Sequence, residues 1–441
     1  MSLIKKSAAG LVLTAAAAAT SAAFAAGFQL TEQSSLGLGR AYAGAGIVGD
    51  DLSAVHYNPA GMTLLPGTRM QAGGVWIAVD APFKGKDGSE ENGRLKGQMI
   101  PTGYITHQVN DQLWLGFGMT VPFGMGTEYS DDWSEKQRGT DSMILTFDMN
   151  PSFAYKMSDF ISFGGGISVQ YAKAKLGMGL YPEDKYALLP NDAAYVGHGE
   201  VEADSWSWGY NLGVMISPND KMRFGLAYRS SIEHNADGEF RFSDGQQLNL
   251  PGHNLNAALL NGFVFDTEAT IETPDTVMLT GTWEATDKLR LSGLIRWANW
   301  SNFKSLKIEN SIPATVAGMG GSALSKKEIT NNWEDTWLFS VGADYKLNNS
   351  WTVRGGIAYE MDPIDDQSTR MAVIPDTDRL WLTLGSTYKY NDDLQFDVGA
   401  AYLKGIGDKD LYSHQGAGAI KVGEYDKLDC YMVGVQMQYR F

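Results

Sequence analysis

The chain offers almost no sulfur chemistry: one cysteine, Cys430, in 441 residues. A lone cysteine excludes an intramolecular disulfide framework. After the first 25 residues no run of eighteen apolar residues occurs, so no transmembrane helix is expected. Positive charge is also short. The formal net charge of −16 argues against nucleic acid as a partner. Histidine is sparse: His56, His107, His198, His234, His253 and His414 are scattered, with no metal-ligand spacing. No metal site and no cofactor is therefore expected.

What the chain has is glycine and aromatics: 51 Gly, 12 Trp, 20 Tyr and 18 Phe. At the N-terminus, Lys5 and Lys6 precede an apolar run, and Ala23-Phe24-Ala25 fits a small-residue cleavage site. Residues 1–25 read as a secretory signal peptide; an alanine-rich helix is the competing reading. An exported, aromatic-rich chain without disulfides or helical spans points to the outer membrane of a Gram-negative bacterium, as a β-barrel.

Side chains alternate across a strand, and the chain alternates repeatedly. At the C-terminus Tyr431, Val433, Val435, Met437, Tyr439 and Phe441 share one face, opposite Cys430, Met432, Gly434, Gln436, Gln438 and Arg440. Elsewhere Trp351, Val353, Ile357 and Tyr359 oppose Thr352, Arg354 and Glu360, and Leu291 and Ile295 oppose Arg290 and Arg296. A charge facing lipid near the midplane costs about 2–4 kcal/mol, so these arginines point inward or sit at an interface. A soluble β-sandwich also alternates, but fits the export signal and the aromatic strand ends less well. Tight Asn/Asp turns near 110, 159, 219, 287, 348 and 392 alternate with long links, among them 178–203, 236–267, 303–334 and 362–378. The expected fold is all-β: a 14-stranded antiparallel transmembrane β-barrel over residues 67–441. A count differing by two strands would arise around 230–285. The terminal aromatic strand resembles the signal read by outer-membrane assembly machinery.

Residues 26–66 are too rich in small residues for strands. A fourteen-stranded barrel is wide enough to hold an aqueous lumen unless something fills it. Here the chain resembles the FadL-type family of outer-membrane long-chain fatty acid transporters. The resemblance rests on Ala26-Gly27-Phe28-Gln29-Leu30, Gly37-Leu38-Gly39-Arg40-Ala41-Tyr42, Asn58-Pro59-Ala60, Pro122-Phe123-Gly124 with Thr127, Tyr171 to Lys175, Trp333-Glu334-Asp335-Thr336 and Pro375 to Trp381. It implies that residues 26–66 form an N-terminal hatch plugging the lumen, with Gly27, Phe28, Asn58, Pro59 and Ala60 in it. Physically, Pro59 fixes φ and lacks a donor, and Asn58 can bond nearby backbone, so the motif makes a rigid corner. An ordinary turn into the first strand is the alternative. Gly44 to Gly49 matches GxGxxG, but no strand–helix context surrounds it, so a nucleotide site is not expected.

Val121 to Gly126 interrupts the third strand, since proline cannot join the ladder and glycine marks bulges. The resemblance makes Pro122, Phe123 and Gly124 a lateral opening toward the bilayer; a bulge without function is the alternative. The links 178–203 and 236–267 are apolar for loops. Leu188, Leu189, Leu259 and Phe263 are candidate capture residues there. For a fatty acid carboxylate, the resemblance points to Lys173 and Lys175 on strand five, and to Lys326 and Lys327 near a second basic position. Asp378 and Arg379 are expected to pair at a strand mouth. The expected role is passive uptake of a long-chain fatty acid, or of another hydrophobic small molecule such as a monoaromatic hydrocarbon, by a protein that is not an enzyme. Outer-membrane lipid and lipopolysaccharide are its expected surroundings. A Ser-His-acid constellation, which an outer-membrane lipase would need, is not assembled by the sequence.

Overall fold

The computed structural model describes residues 26–93, 97–130, 133–181, 195–250, 253–311, 326–412 and 418–441. The expected signal segment, and Leu188 and Leu189, lie outside the described residues. Fourteen strands form the wall. They are β1 (Thr68–Gly85), β2 (Gln98–Gln108), β3 in two pieces (Leu113–Thr120 and Gly124–Glu128), β4 (Asp141–Lys156), β5 (Ile161–Leu180) and β6 (Gly197–Asn219). Next come β7 (Met222–Arg229 and Ile232–Ser243), β8 (Val264–Thr273 and Thr276–Glu284), β9 (Leu289–Ala298 and Ser305–Asn310) and β10 (Lys326–Thr330 and Thr336–Lys346). The last four are β11 (Trp351–Glu360), β12 (Arg379–Lys389), β13 (Leu394–Gly405) and β14 (Asp429–Arg440).

Each strand pairs antiparallel with the next, and β14 returns to β1 with Val75 opposite Gly434. Apart from the second piece of β3, closure leaves no sheet edge, which is what lets strands cross a bilayer with their backbone groups satisfied. The outer wall carries two aromatic belts. Trp283, Tyr345, Trp351 and Tyr388 ring the short-turn end; Trp208, Trp337, Tyr359 and Tyr431 stand toward the other, all well exposed. Arg229, Arg296 and Arg354 point inward, opposite in parity to the exposed Leu226, Ile295 and Val353.

Strands β5 to β10 run further out than the sequence suggested. β6 begins at Gly197, and β7 continues to Ser243. The links expected at 178–203, 236–267 and 303–334 are therefore partly strand. The reason is legible in β7: Phe240 and Phe242 are buried inward, while Glu239 and Arg241 face out. Above the lipid belt an outward face tolerates charge, so these segments read as polar loops. The breaks in β7 to β10 line up, at Ser230-Ser231, Pro274-Asp275, Asn299 to Lys304 and Asn331 to Asp335.

Residues 26–66 lie nearly wholly buried against the inward wall. They form two short helices, Ser35–Leu38 and Ala54–Tyr57, and a 3-10 turn, Pro59–Leu64. Glycines on the wall make the room. A Cβ at Gly399 would stand 2.2 Å from Ser35 O, one at Gly356 would stand 2.4 Å from Arg40 C, and one at Gly213 would stand 2.1 Å from Asn58 Oδ1. Contacts on β13, β11 and β6 put the segment against widely separated parts of the ring. This is where much of the glycine content is used.

Candidate functional site

The corner at Asn58 is doubly fixed. Its Oδ1 accepts from the Ala60 amide at 3.1 Å, capping the 3-10 turn, and its Nδ2 donates to Val214 O at 3.0 Å on the wall. Pro59 occupies the first position of that turn, where its missing N–H is not needed. The GxGxxG stretch is a run of turns with Gly44, Gly46 and Gly49 at positive φ, not a strand–helix junction.

The start of the segment reaches β3 where that strand breaks. β3 pairs with β2 only as far as Gly103 opposite Met119; its second piece pairs with β4 alone. On the free side, the Leu30 amide donates to Pro122 O at 2.8 Å and the Gly124 amide donates to Phe28 O at 2.9 Å. Gln33 extends the ladder with its side chain: Nε2 donates to Val121 O at 2.7 Å, and Oε1 accepts from the Val121 amide at 3.2 Å. An open edge inside a barrel would leave these backbone groups unpaired. Here the N-terminal segment satisfies them.

Phe28 sits in an aromatic nest, with ring centroids 4.7 Å from Trp300, 5.6 Å from Phe303, 6.0 Å from Trp333 and 5.9 Å from Phe123. Next to it the Gly27 amide donates to Asp376 Oδ2 at 2.7 Å. Arg379 does not pair with Asp378, as the sequence suggested. It pairs with Asp376 and stands 3.5 Å from Glu360; Asp378 instead accepts from Tyr359 Oη at 2.6 Å. The reason is direction: Arg379 is the buried, inward first residue of β12, while Tyr359 and Asp378 face the exterior.

Between the break in β3 and the breaks in β7 and β8 lies a narrow cavity of about 60 Å³. Leu30, Pro122, Phe123, Ala227, Ile232, Met278 and Leu294 give it apolar walls, and Arg229 and Arg296 stand on its lining. Arg296 donates to Thr31 Oγ1 at 2.7 Å and pairs with Glu360 at 2.9 Å. Arg229 donates to Ser168 Oγ at 2.7 Å and to His56 O at 2.9 Å, with Asp148 at 3.5 Å. Close by, Glu32 is fully buried, and neither carboxyl oxygen has a hydrogen-bond partner among the described residues. Burial, then the charge of Glu360, pushes its pKa up to about 8.

Two of the lysines expected to face a carboxylate stand elsewhere. Lys173 and Lys175 share the outward face of β5 with Ile167 and Val169, not the lumen. Lys173 pairs with Glu202 at 2.7 Å; Lys175 pairs with Glu200 at 2.8 Å and Asp141 at 3.0 Å. Lys326 and Lys327 lie in β10 rather than a loop, opposite Glu309 and Ile308. Leu259 and Phe263 are exposed beyond β7. The basic groups that do line the cavity, Arg229 and Arg296, were readable as inward by parity. What singles them out is proximity to β3, and sequence spacing does not carry that.

A closed fourteen-stranded barrel with an apolar cavity at a break in its wall defines an outer-membrane transport protein. The chain belongs to the family described as outer membrane protein transport protein (OMPP1/FadL/TodX), whose model matches residues 16–441. It is 30% identical over 446 residues to a long-chain fatty acid transport protein of Escherichia coli O6:H1, covering 95% of each chain. It is 31% identical over 444 residues to outer membrane protein P1 of Haemophilus influenzae, covering 91% of each. Among solved structures, it superposes on a Pseudomonas aeruginosa FadL homologue with TM-score 0.78 at 24% identity, covering 94% of this chain and 100% of that one. It superposes on the Ralstonia pickettii toluene transporter TbuX with TM-score 0.68 at 17% identity, covering 94% and 99%.

Proposed function

We propose that this protein takes up long-chain fatty acids passively across the outer membrane, with residues 26–66 acting as the hatch. The observation that carries the reading is the apolar cavity beside the break in β3, lined by Arg229 and Arg296. A buried methylene contributes about 0.8 kcal/mol, so a sixteen-carbon chain offers on the order of 11 kcal/mol. A charge-assisted hydrogen bond to the head group adds roughly 1.5–3 kcal/mol. The tail sets affinity and the arginines set orientation. Exposed Leu259 and Phe263 are suited to capture at the outer loops.

Binding that tight must be undone for transport. Withdrawal of residues 26–30 from the edge of β3 would open a sideways path at Pro122, Phe123 and Gly124. Exit there keeps the tail out of water. The alternative cargo, a monoaromatic hydrocarbon, needs the cavity but not the arginines. Binding of oleate and of oleyl alcohol to purified Arg229→Met and Arg296→Met variants tests this. Weaker oleate binding with alcohol binding retained supports a carboxylate site; equal loss or no loss for both removes it.

A further inference from the structure

We propose a divalent transition-metal site on the outer wall, formed by Asp141, His198 and Glu200. One ligand atom from each lies within 4.8 Å of the others. The strands set this up. His198 and Glu200 are two apart on β6 and so share a face. Asp141 is opposite Gly177 on β5 and Gly177 is opposite Glu200 on β6, so these form one row across the wall, with His198 opposite Gly179 in the neighbouring row on the same face. The middle position has no side chain. A Cβ at Gly177 would stand 2.1 Å from Asp141 Oδ1. The two carboxylates therefore meet across a gap that any other residue would fill.

That gap already holds a cation. The Lys175 ammonium stands 3.0 Å from Asp141 Oδ2 and 2.8 Å from Glu200 Oε2. The His198 ring, by contrast, makes no hydrogen bond or ion pair among the described residues. One imidazole and two carboxylates is a donor set for zinc and its first-row neighbours, not for magnesium, which prefers oxygen alone. Tetrahedral zinc with bonds of about 2.0–2.1 Å needs its ligand atoms about 3.3 Å apart. The cluster therefore closes by side-chain rotation, with Lys175 swinging out. Metal and Lys175 compete for the same two carboxylates. Loading the site would staple β4 to β6 outside the lipid belt and release Lys175.

The experiment uses the full chain purified in detergent, titrated with Zn²⁺ by calorimetry and with Co²⁺ by visible absorption. Wild-type protein should bind one Zn²⁺ that His198→Ala weakens at least about tenfold. Gly177→Ala, which fills the cradle, should weaken it as well. Lys175→Met should tighten binding, because it removes the competing cation; a merely structural salt bridge predicts no such gain. Heat-modifiable gel mobility confirms that each variant remains a folded barrel. No stoichiometric Zn²⁺ binding, binding unaffected by His198→Ala, or weaker binding in Lys175→Met would each overturn the site.

Discussion

The Gly27 amide donates to Asp376 Oδ2 at 2.7 Å, joining the start of the buried segment to the residues just before β12. The same carboxylate holds Arg379. Asp376→Ala takes the acceptor from the buried Gly27 amide, and leaving such a group unsatisfied costs about 1–3 kcal/mol, while Arg379 keeps Glu360 at 3.5 Å. Asp376→Ala should therefore free residues 26–30 while the barrel stays assembled. Hydrogen exchange of that stretch should rise sharply, with β11 to β13 unchanged; unaltered protection of residues 26–30 would count against the anchor.

Gln33 substitutes for a missing strand by bonding both backbone groups of Val121. Leaving buried groups unsatisfied costs about 1–3 kcal/mol each. In Gln33→Leu, amide exchange at Val121 should accelerate by at least tenfold. Exchange across β4, which pairs with β3 from the other side, should stay as in wild type.

Glu32 supplies a pH dependence. Its pKa is raised by burial and by Glu360 from 4.5 to about 8. A carboxyl whose folded value lies above its unfolded value stabilises the packed state fully below about 4.5, and that contribution is lost as pH rises toward 8. The span corresponds to something of order 5 kcal/mol. Residues 26–66 should exchange faster at pH 9 than at pH 5 beyond the intrinsic change. Glu32→Gln should flatten the difference; an identical pH profile in the variant would exclude Glu32 as its source.

Wall glycines predict a fourth result. Gly213 faces Asn58, and a Cβ there would meet Oδ1 at 2.1 Å. Gly213→Val leaves the lipid face untouched and should displace the Asn58 corner. Single-channel conductance in planar bilayers should increase. A closed, wild-type conductance would show that the corner does not block the lumen.

The barrel was legible because lipid imposes a strict period of two on every spanning strand, as in Trp351 to Glu360. The short turns were equally clear. Where β7 rises past the lipid, Glu239 and Arg241 face out and the pattern reads as loop, so strand ends were missed. The outward face of Lys173 follows from its parity with Ile167 and Val169, but the pairing of Arg379 with Asp376 depends on how the start of β12 meets the inner segment, which pairwise spacing does not reveal. The cluster of Asp141, His198 and Glu200 was invisible for the same reason: 57 residues separate its first two members.

Uptake of labelled oleate into cells lacking their own fatty acid transporter, with and without this protein in the outer membrane and with toluene in parallel, decides whether the cargo is a fatty acid. Oleate uptake should be restored, and it should fall in the Arg229→Met and Arg296→Met variants. Toluene uptake without oleate uptake would contradict the fatty acid reading, leaving the barrel and its break in β3 as a path for neutral hydrophobic compounds.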